Sequence, residues 1–304
     1  MASSSDQPSY YIPHAGWYPV AVAASSCVLM VGLGFWLNAL KGGQEPNRIA
    51  FYVGAIALTV VLFAWFSKVI EENRGGLTSP QLHRSYIWAM SWFIFSEFMF
   101  FAAFFGALYY TRVLVMPWLG GEGGKGLTGD YLWPGFEAGW PIMNNLDPSV
   151  FENPGGNMAA PNITSWGNYL PFWNTAILLT SSITVHFAHT AIKNLQRTKL
   201  LIWLGVTVAL GIVFLVLQVE EYAQAYQDLG LTLSSGIYGS TFFLLTGFHG
   251  FHVTLGTFML FVQLIRAYYG HFQPTDCFGF EASSWYWHFV DVIWVCLFLF
   301  VYVF

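Results

Sequence analysis

Seven stretches of the chain stay apolar long enough to matter: Trp17–Leu40, Ile49–Ile70, Tyr86–Tyr110, Leu170–Ile192, Leu200–Val219, Ile237–Ile265 and Ser283–Phe304. A helix needs about 20 mostly apolar residues to cross the hydrocarbon core of a bilayer, so the pattern predicts an all-α protein with seven transmembrane helices. The sixth stretch is the longest and is expected to tilt or protrude. The polar opening residues lack a positive n-region and no small-residue cleavage site follows the first run, so that run reads as a retained span. The organisation expected is an N-terminal segment at 1–16, a two-helix bundle at 17–70, a linker at 71–85 and a five-helix bundle at 86–304. Gly75-Gly76 and Pro80 in the linker should let the first two spans pivot away from the other five. The five-helix part is interrupted by a long loop, 111–169, which opens with the glycine-rich run from Gly120 to Gly126. Asn162-Ile163-Thr164 in that loop fits an N-glycosylation acceptor formally, without a context that suggests use.

Charge sets the orientation. With the N-terminus inside, the inner face holds Lys68, Arg74, Arg84, Lys193, Arg197, Lys199 and Arg266, and the outer face holds only Lys41, Arg48, Arg112 and Lys125 over many more residues. Positive loops stay on the cytoplasmic side, so the N-terminus is expected inside and the C-terminus outside. Composition agrees with a lipid solvent: 56% of the 304 residues are hydrophobic and 9% charged, where a soluble domain carries about a quarter charged. A net charge of −5 leaves no basic surface for nucleic acid. Cys27, Cys277 and Cys296 are widely spaced and never form a Cys-x-x-Cys pair, so they read as packing residues.

Polar groups inside the hydrocarbon are costly, which makes each a functional candidate. Glu97 lies near the middle of the third stretch with no charged neighbour within a turn. Such a carboxyl is expected to be protonated much of the time, or to accept hydrogen bonds from another helix or an inward-drawn lipid headgroup. Two His-x-x-His pairs, His186/His189 and His249/His252, each place two imidazoles on one side of a helix. Inward-facing carboxylates suited to a metal centre are not apparent beside them, so no metal site is expected, and bonds across helices to backbone or to hydroxyls such as Ser181, Ser182 and Thr246 are favoured. His288 and Asp291 stand three apart near the start of the last stretch, a pair suited to anchoring the helix or relaying protons. Glu220 and Glu221 read as a solvated helix end on the outer side, and Arg266, closing the sixth stretch, as a guanidinium at headgroup level suited to a lipid phosphate. There is no phosphate-binding loop, dinucleotide fingerprint or nucleophile motif, so no catalytic residue is assigned.

Three blocks carry a resemblance. They are Phe95-Ser96-Glu97-Phe98-Met99-Phe100-Phe101; Gly239-Ser240-Thr241-Phe242-Phe243 with Thr246-Gly247-Phe248-His249-Gly250-Phe251-His252-Val253; and Phe278-Gly279-Phe280-Glu281-Ala282 leading into Trp285-Tyr286-Trp287-His288-Phe289-Val290-Asp291. Through them the sequence, from about Trp17 to Val303, resembles subunit III of haem–copper cytochrome c oxidase, in its bacterial aa3-type form. The resemblance implies seven helices split into two- and five-helix bundles by a V-shaped cleft that holds phospholipid. It implies no cofactor in this chain, with haem and copper in partner subunits I and II, cytochrome c met through the complex, and room for a respiratory supercomplex. The implied role is supporting: contact with subunit I, fast proton uptake through it, and protection of the catalytic centre during turnover. Glu97 matches the family's buried, carbodiimide-reactive carboxyl facing lipid. Arg266, Trp65 and Glu72 match lipid-associated positions, with Lys68 standing in for a basic residue replaced here by Glu71. The long 111–169 loop departs from mitochondrial forms and, with the chain length, implies a bacterial plasma membrane, with outer loops periplasmic.

Three rivals stay open on the sequence. A quinol oxidase subunit III would share most motifs, though its relatives usually lack the first two spans. A proton-coupled transporter using Glu97 would need aligned polar residues on several helices, and only the histidine pairs and Asp291 offer them. A metalloenzyme built on the histidine pairs is a third and weaker possibility.

Overall fold

The structure is a computed structural model describing residues 16–43, 45, 47–77, 79–134, 136–142, 145–146, 169–272 and 277–303. The N-terminal segment through residue 15, the 147–168 part of the long loop and the Asn162 acceptor triplet lie outside the described residues. Among the described residues all regular structure is helical, and seven helices are long and apolar enough to cross a membrane. They are α1 (Tyr18–Lys41), α2 (Ile49–Arg74), α3 (Pro80–Tyr109), α4 (Leu170–Lys193), α5 (Arg197–Gln227), α6 (Ile237–Tyr268) and α7 (Phe278–Leu297).

Most helices overrun the apolar stretches that announced them. Helix α2 continues through Glu71-Glu72-Asn73-Arg74, and α5 begins three residues earlier, at Arg197, and ends about two turns later, at Gln227. The hydrogen-bonded backbone does not stop where hydrocarbon stops: amphipathic residues continue it into the headgroup layer. The longest span is therefore the third, not the sixth. Helix α3 runs on through a π-helical turn at Tyr110–Val115 into a short helical segment, Met116–Leu119, giving a continuous 40-residue span from Pro80 to Leu119. Arg112, two residues past the end of the third apolar stretch, lies with its guanidinium 5.9 Å from the Trp140 ring centroid, so its charge sits against an aromatic face.

The chain divides into two compact units, Met1–Trp88 and Ala89–Phe304. In the first, α1 and α2 form an antiparallel pair through small residues. A methyl group at Gly32 would overlap the backbone of Phe51, and one at Gly54 would overlap the backbone of Leu29. Glycine is what permits the close approach that, in lipid, replaces hydrophobic burial as the source of helix association.

In the second unit α7 is the buried strut. Trp287, Trp294, Tyr286 and Phe280 are enclosed, and the two indoles donate to hydroxyls on α4: Trp287 Nε1 to Ser181 Oγ and Trp294 Nε1 to Thr175 Oγ1, each at 2.9 Å. Gly256 on α6 makes room for Trp287, because a methyl there would stand 2.9 Å from Cε3 of the ring. Hydroxyl pairs tie neighbouring helices, Thr184 to Thr207 at 2.8 Å and Tyr222 to Thr246 at 2.7 Å. The exterior is apolar, with Phe251, Val216 and Val292 each more than 60% exposed. That is the inside-out profile of a protein solvated by lipid.

Candidate functional site

Glu97 lies on α3, seventeen residues past its start, and faces α6. Its Oε2 is 2.8 Å from Nε2 of His252, and Ser96 Oγ is 3.5 Å from Oε1. The imidazole is 7% exposed and the carboxyl 24% exposed, so the pair is enclosed on the histidine side and open on the other. Phe100, Phe101 and Tyr286 surround the imidazole at ring-centroid distances of 6.0, 4.9 and 6.4 Å.

The second nitrogen fixes what the pair can do. His252 Nδ1 is 2.6 Å from the carbonyl oxygen of Phe248, one turn back on the same helix. A carbonyl only accepts, so Nδ1 carries a proton in either charge state. Two arrangements then satisfy the 2.8 Å contact: a protonated Glu97 donating to a bare Nε2, or an imidazolium donating to a carboxylate. The site is a dyad sharing one proton between two helices. Both ring nitrogens are engaged, which leaves His252 none for a metal.

The other histidines take separate partners. His249 is fully buried, with Nε2 3.2 Å from the Val290 carbonyl oxygen and the ring between Phe214 and Trp294. His189 Nε2 lies 3.2 Å from Glu281 Oε1, with Lys193 Nζ 3.9 Å from the same oxygen, while His186 is exposed. His288 Nδ1 is 2.8 Å from Ser182 Oγ and 3.6 Å from Asp291 Oδ2. Each His-x-x-His pair thus splits between two environments. No group of three His, Cys, Asp or Glu residues able to hold a metal occurs among the described residues.

Arg266 is buried at the end of α6, its Nη1 donating to Gln263 Oε1 at 3.3 Å and its guanidinium 4.9 Å from the Phe272 ring. In the first unit Trp65, Lys68 and Glu72 follow one another along a face of α2; Trp65 stacks on Tyr18 at 6.2 Å, and Lys68 pairs with Glu71 at 3.0 Å.

The expectation that no carboxylate stands beside the histidine pairs fails, since Glu97 meets His252 and Glu281 meets His189, and so does the reading of Glu220 and Glu221 as a solvated helix end. Glu220 is exposed, but Glu221 is only 6% exposed and is not a solvated helix end. Helix α5 continues six residues beyond it, and a step of about 100° from Glu220 turns it inward. Its Oε2 accepts from Gln218 Nε2 at 3.1 Å. The hydroxyls of Tyr169, Tyr238 and Tyr302 stand within electrostatic range. Burial, reinforced by the Glu221 charge, pushes the Tyr169 hydroxyl above its usual range, so it stays protonated.

Comparison with known proteins follows the same residues. The sequence profile of the family described as Cytochrome c oxidase subunit III matches residues 8–123 and 164–304. Among curated relatives, cytochrome c oxidase subunit 3 of Papio hamadryas is 33% identical over 296 residues, covering 97% of this chain and 96% of that protein. The same subunit of Oryctolagus cuniculus is 32% identical over 295 residues, with 97% and 96% covered. That of Didelphis virginiana is 32% identical over 288 residues, with 94% and 87% covered.

Proposed function

The chain belongs to the cytochrome c oxidase subunit III family, and from that premise we propose that it is a non-redox subunit of a bacterial aa3-type cytochrome c oxidase that binds phospholipid and sustains proton uptake and turnover by subunit I. Membership makes it one subunit of an oxidoreductase complex, and its seven apolar helices make it a multi-pass membrane protein. In this reading subunits I and II carry haem and copper, cytochrome c reaches the complex from the periplasmic side, and the N-terminus is cytoplasmic.

The observation that carries the reading is the Glu97–His252 dyad. It places a proton-sharing carboxyl, open on one side, at membrane depth inside the Phe95–Phe101 block on which the resemblance rests. An amphiphile headgroup or a bridging water meets there both a donor and an acceptor, a combination bare hydrocarbon does not offer. Arg266 and the Trp65–Lys68–Glu72 face of α2 are the further lipid positions of this reading; burial of Arg266 against Phe272 leaves it suited to fixing the inner end of α6 beside a headgroup.

Glu97→Ala tests the account. Oxygen reduction should start near the wild-type rate, while co-purifying phospholipid falls or inactivation comes after fewer turnovers. Unchanged lipid content together with an unchanged turnover lifetime would count against the lipid role.

A further inference from the structure

Five buried polar side chains gather at the end of the second unit where α4 begins and α5 finishes. Thr184 on α4 meets Thr207 on α5 at 2.8 Å, which fixes the register of these antiparallel helices. From that contact Asn174 lies ten residues back along α4 and Gln218 eleven forward along α5, rises of about 15 and 16 Å, so the two amides are level. Steps of three and four, through Ser181 and Leu178 on one helix and Gly211 and Phe214 on the other, keep both on the buried faces that meet. Glu221 follows one turn after Gln218. Tyr169, just before α4, and Tyr302, in the π-helical turn Phe298–Val303 after α7, stand within electrostatic range of Glu221 and of each other. Tyr302 packs on Trp294, whose indole donates to Thr175, the neighbour of Asn174.

Each of the five is at most 6% exposed. Asn174 Oδ1 and Nδ2, Gln218 Oε1, Glu221 Oε1 and the Tyr169 and Tyr302 hydroxyls have no hydrogen-bond partner of ordinary geometry among the described residues. Buried polar atoms are nearly always bonded, so this many at one level mark a place where a further species bonds them. Atom type and charge select that species. The Gln218 amide nitrogen already donates to Glu221 Oε2 at 3.1 Å, which leaves Gln218 Oε1 and Glu221 Oε1 as bare acceptors. Every member offers an oxygen, from two amides, one carboxyl and two phenols, and that is the donor set of a hard cation. A carboxylate so enclosed needs a counter-charge, and among the described residues Glu221 forms no ion pair. One negative charge among neutral oxygens balances one positive charge, which favours a monovalent ion over a divalent one.

We propose that Asn174, Gln218, Glu221, Tyr169 and Tyr302 bind a monovalent alkali cation that ties α4, α5 and the end of α7 together. Glu221 supplies the charge, and the amide and phenol oxygens replace the ion's water shell. The site shares no residue with the Glu97–His252 dyad, so its failure leaves the subunit reading untouched.

The test uses the protein purified from native membrane with the subunits it carries, exchanged into choline acetate. Crystals soaked in thallium(I) acetate, a heavy stand-in for potassium, should show an anomalous peak beside Glu221 Oε1. Glu221→Gln, which keeps an oxygen there and removes the charge, should lose that peak. In solution, potassium replacing choline at fixed ionic strength should raise the temperature at which this chain unfolds, because an ion bound only by the folded state stabilises it. Tyr302→Phe keeps the ring against Trp294 and should need about tenfold more potassium for the same rise, the scale of one contact to a charged group. Glu221→Gln should not respond to potassium. No thallium peak at these side chains, a peak of equal height in Glu221→Gln, or equal unfolding temperatures in the two salts would each overturn the site. Water-like density without anomalous signal would overturn it too, and would give the place to a water beside a protonated Glu221.

Discussion

Glu97 and His252 are 155 positions apart, and what joins them is the rotation of two helices. Depth was legible in the sequence, because an acid in the middle of a long apolar run has nowhere else to be. The partner was not, because helical periodicity says which residues share a face but not which faces meet. The shared proton gives a direct prediction. In His252→Leu the carboxyl loses its 2.8 Å partner and keeps only Ser96, at 3.5 Å, so its carboxyl stretch should shift in infrared spectra. An unchanged carboxyl band would show that Nε2 is not its principal partner. Glu221 teaches the opposite lesson. Next to Glu220 and just past the end of the fifth apolar run it looks solvated, yet the helix continues and turns it inward. Glu221→Leu leaves the buried Gln218 amide without its acceptor and should cost about 1–3 kcal/mol. Glu221→Gln, which keeps an oxygen there, should cost less, and equal thermal shifts for the two variants would refute this role.

The seven spans are readable because lipid forces every backbone group to pair within its own helix, so a long apolar run has a single outcome. Their ends are less readable. Hydropathy marks the hydrocarbon boundary, whereas the helix stops where a turn residue allows, as at Gly75 after α2 or at Gly270 with φ 72° soon after α6. The span that α3 begins passes through Arg112, whose charge meets the aromatic face of Trp140, 28 residues on in the loop, a contact no local window can show. Pairing of elements is written in the small residues. Gly32 and Gly54 let α1 and α2 touch backbone to backbone, so Gly54→Leu should separate them at a cost of about 1–3 kcal/mol, the range for overpacking. Protease cleavage near residues 42–48, between the two helices, should then quicken in detergent; a cleavage rate equal to wild type would mean that the close approach is not what holds the pair.

At the scale of the molecule, the sequence blocks that carried the resemblance are also those that build the second unit. Phe95 to Phe101 supplies the dyad's acid, Thr246 to Val253 supplies its base, and Trp285 to Asp291 forms the buried strut and the exposed imidazole. These residues serve packing and hydrogen bonding between helices, and the proposed role is that of a subunit that shapes a neighbour. The measurement that tests this most directly is to purify the complex from its native membrane, strip this chain with detergent, and record the optical spectrum and the proton-uptake rate before and after. The account predicts a haem spectrum unchanged by removal of the chain, with slower proton uptake and a shorter turnover lifetime. A haem spectrum lost or shifted on removal, or uptake and lifetime both unaffected, would contradict it.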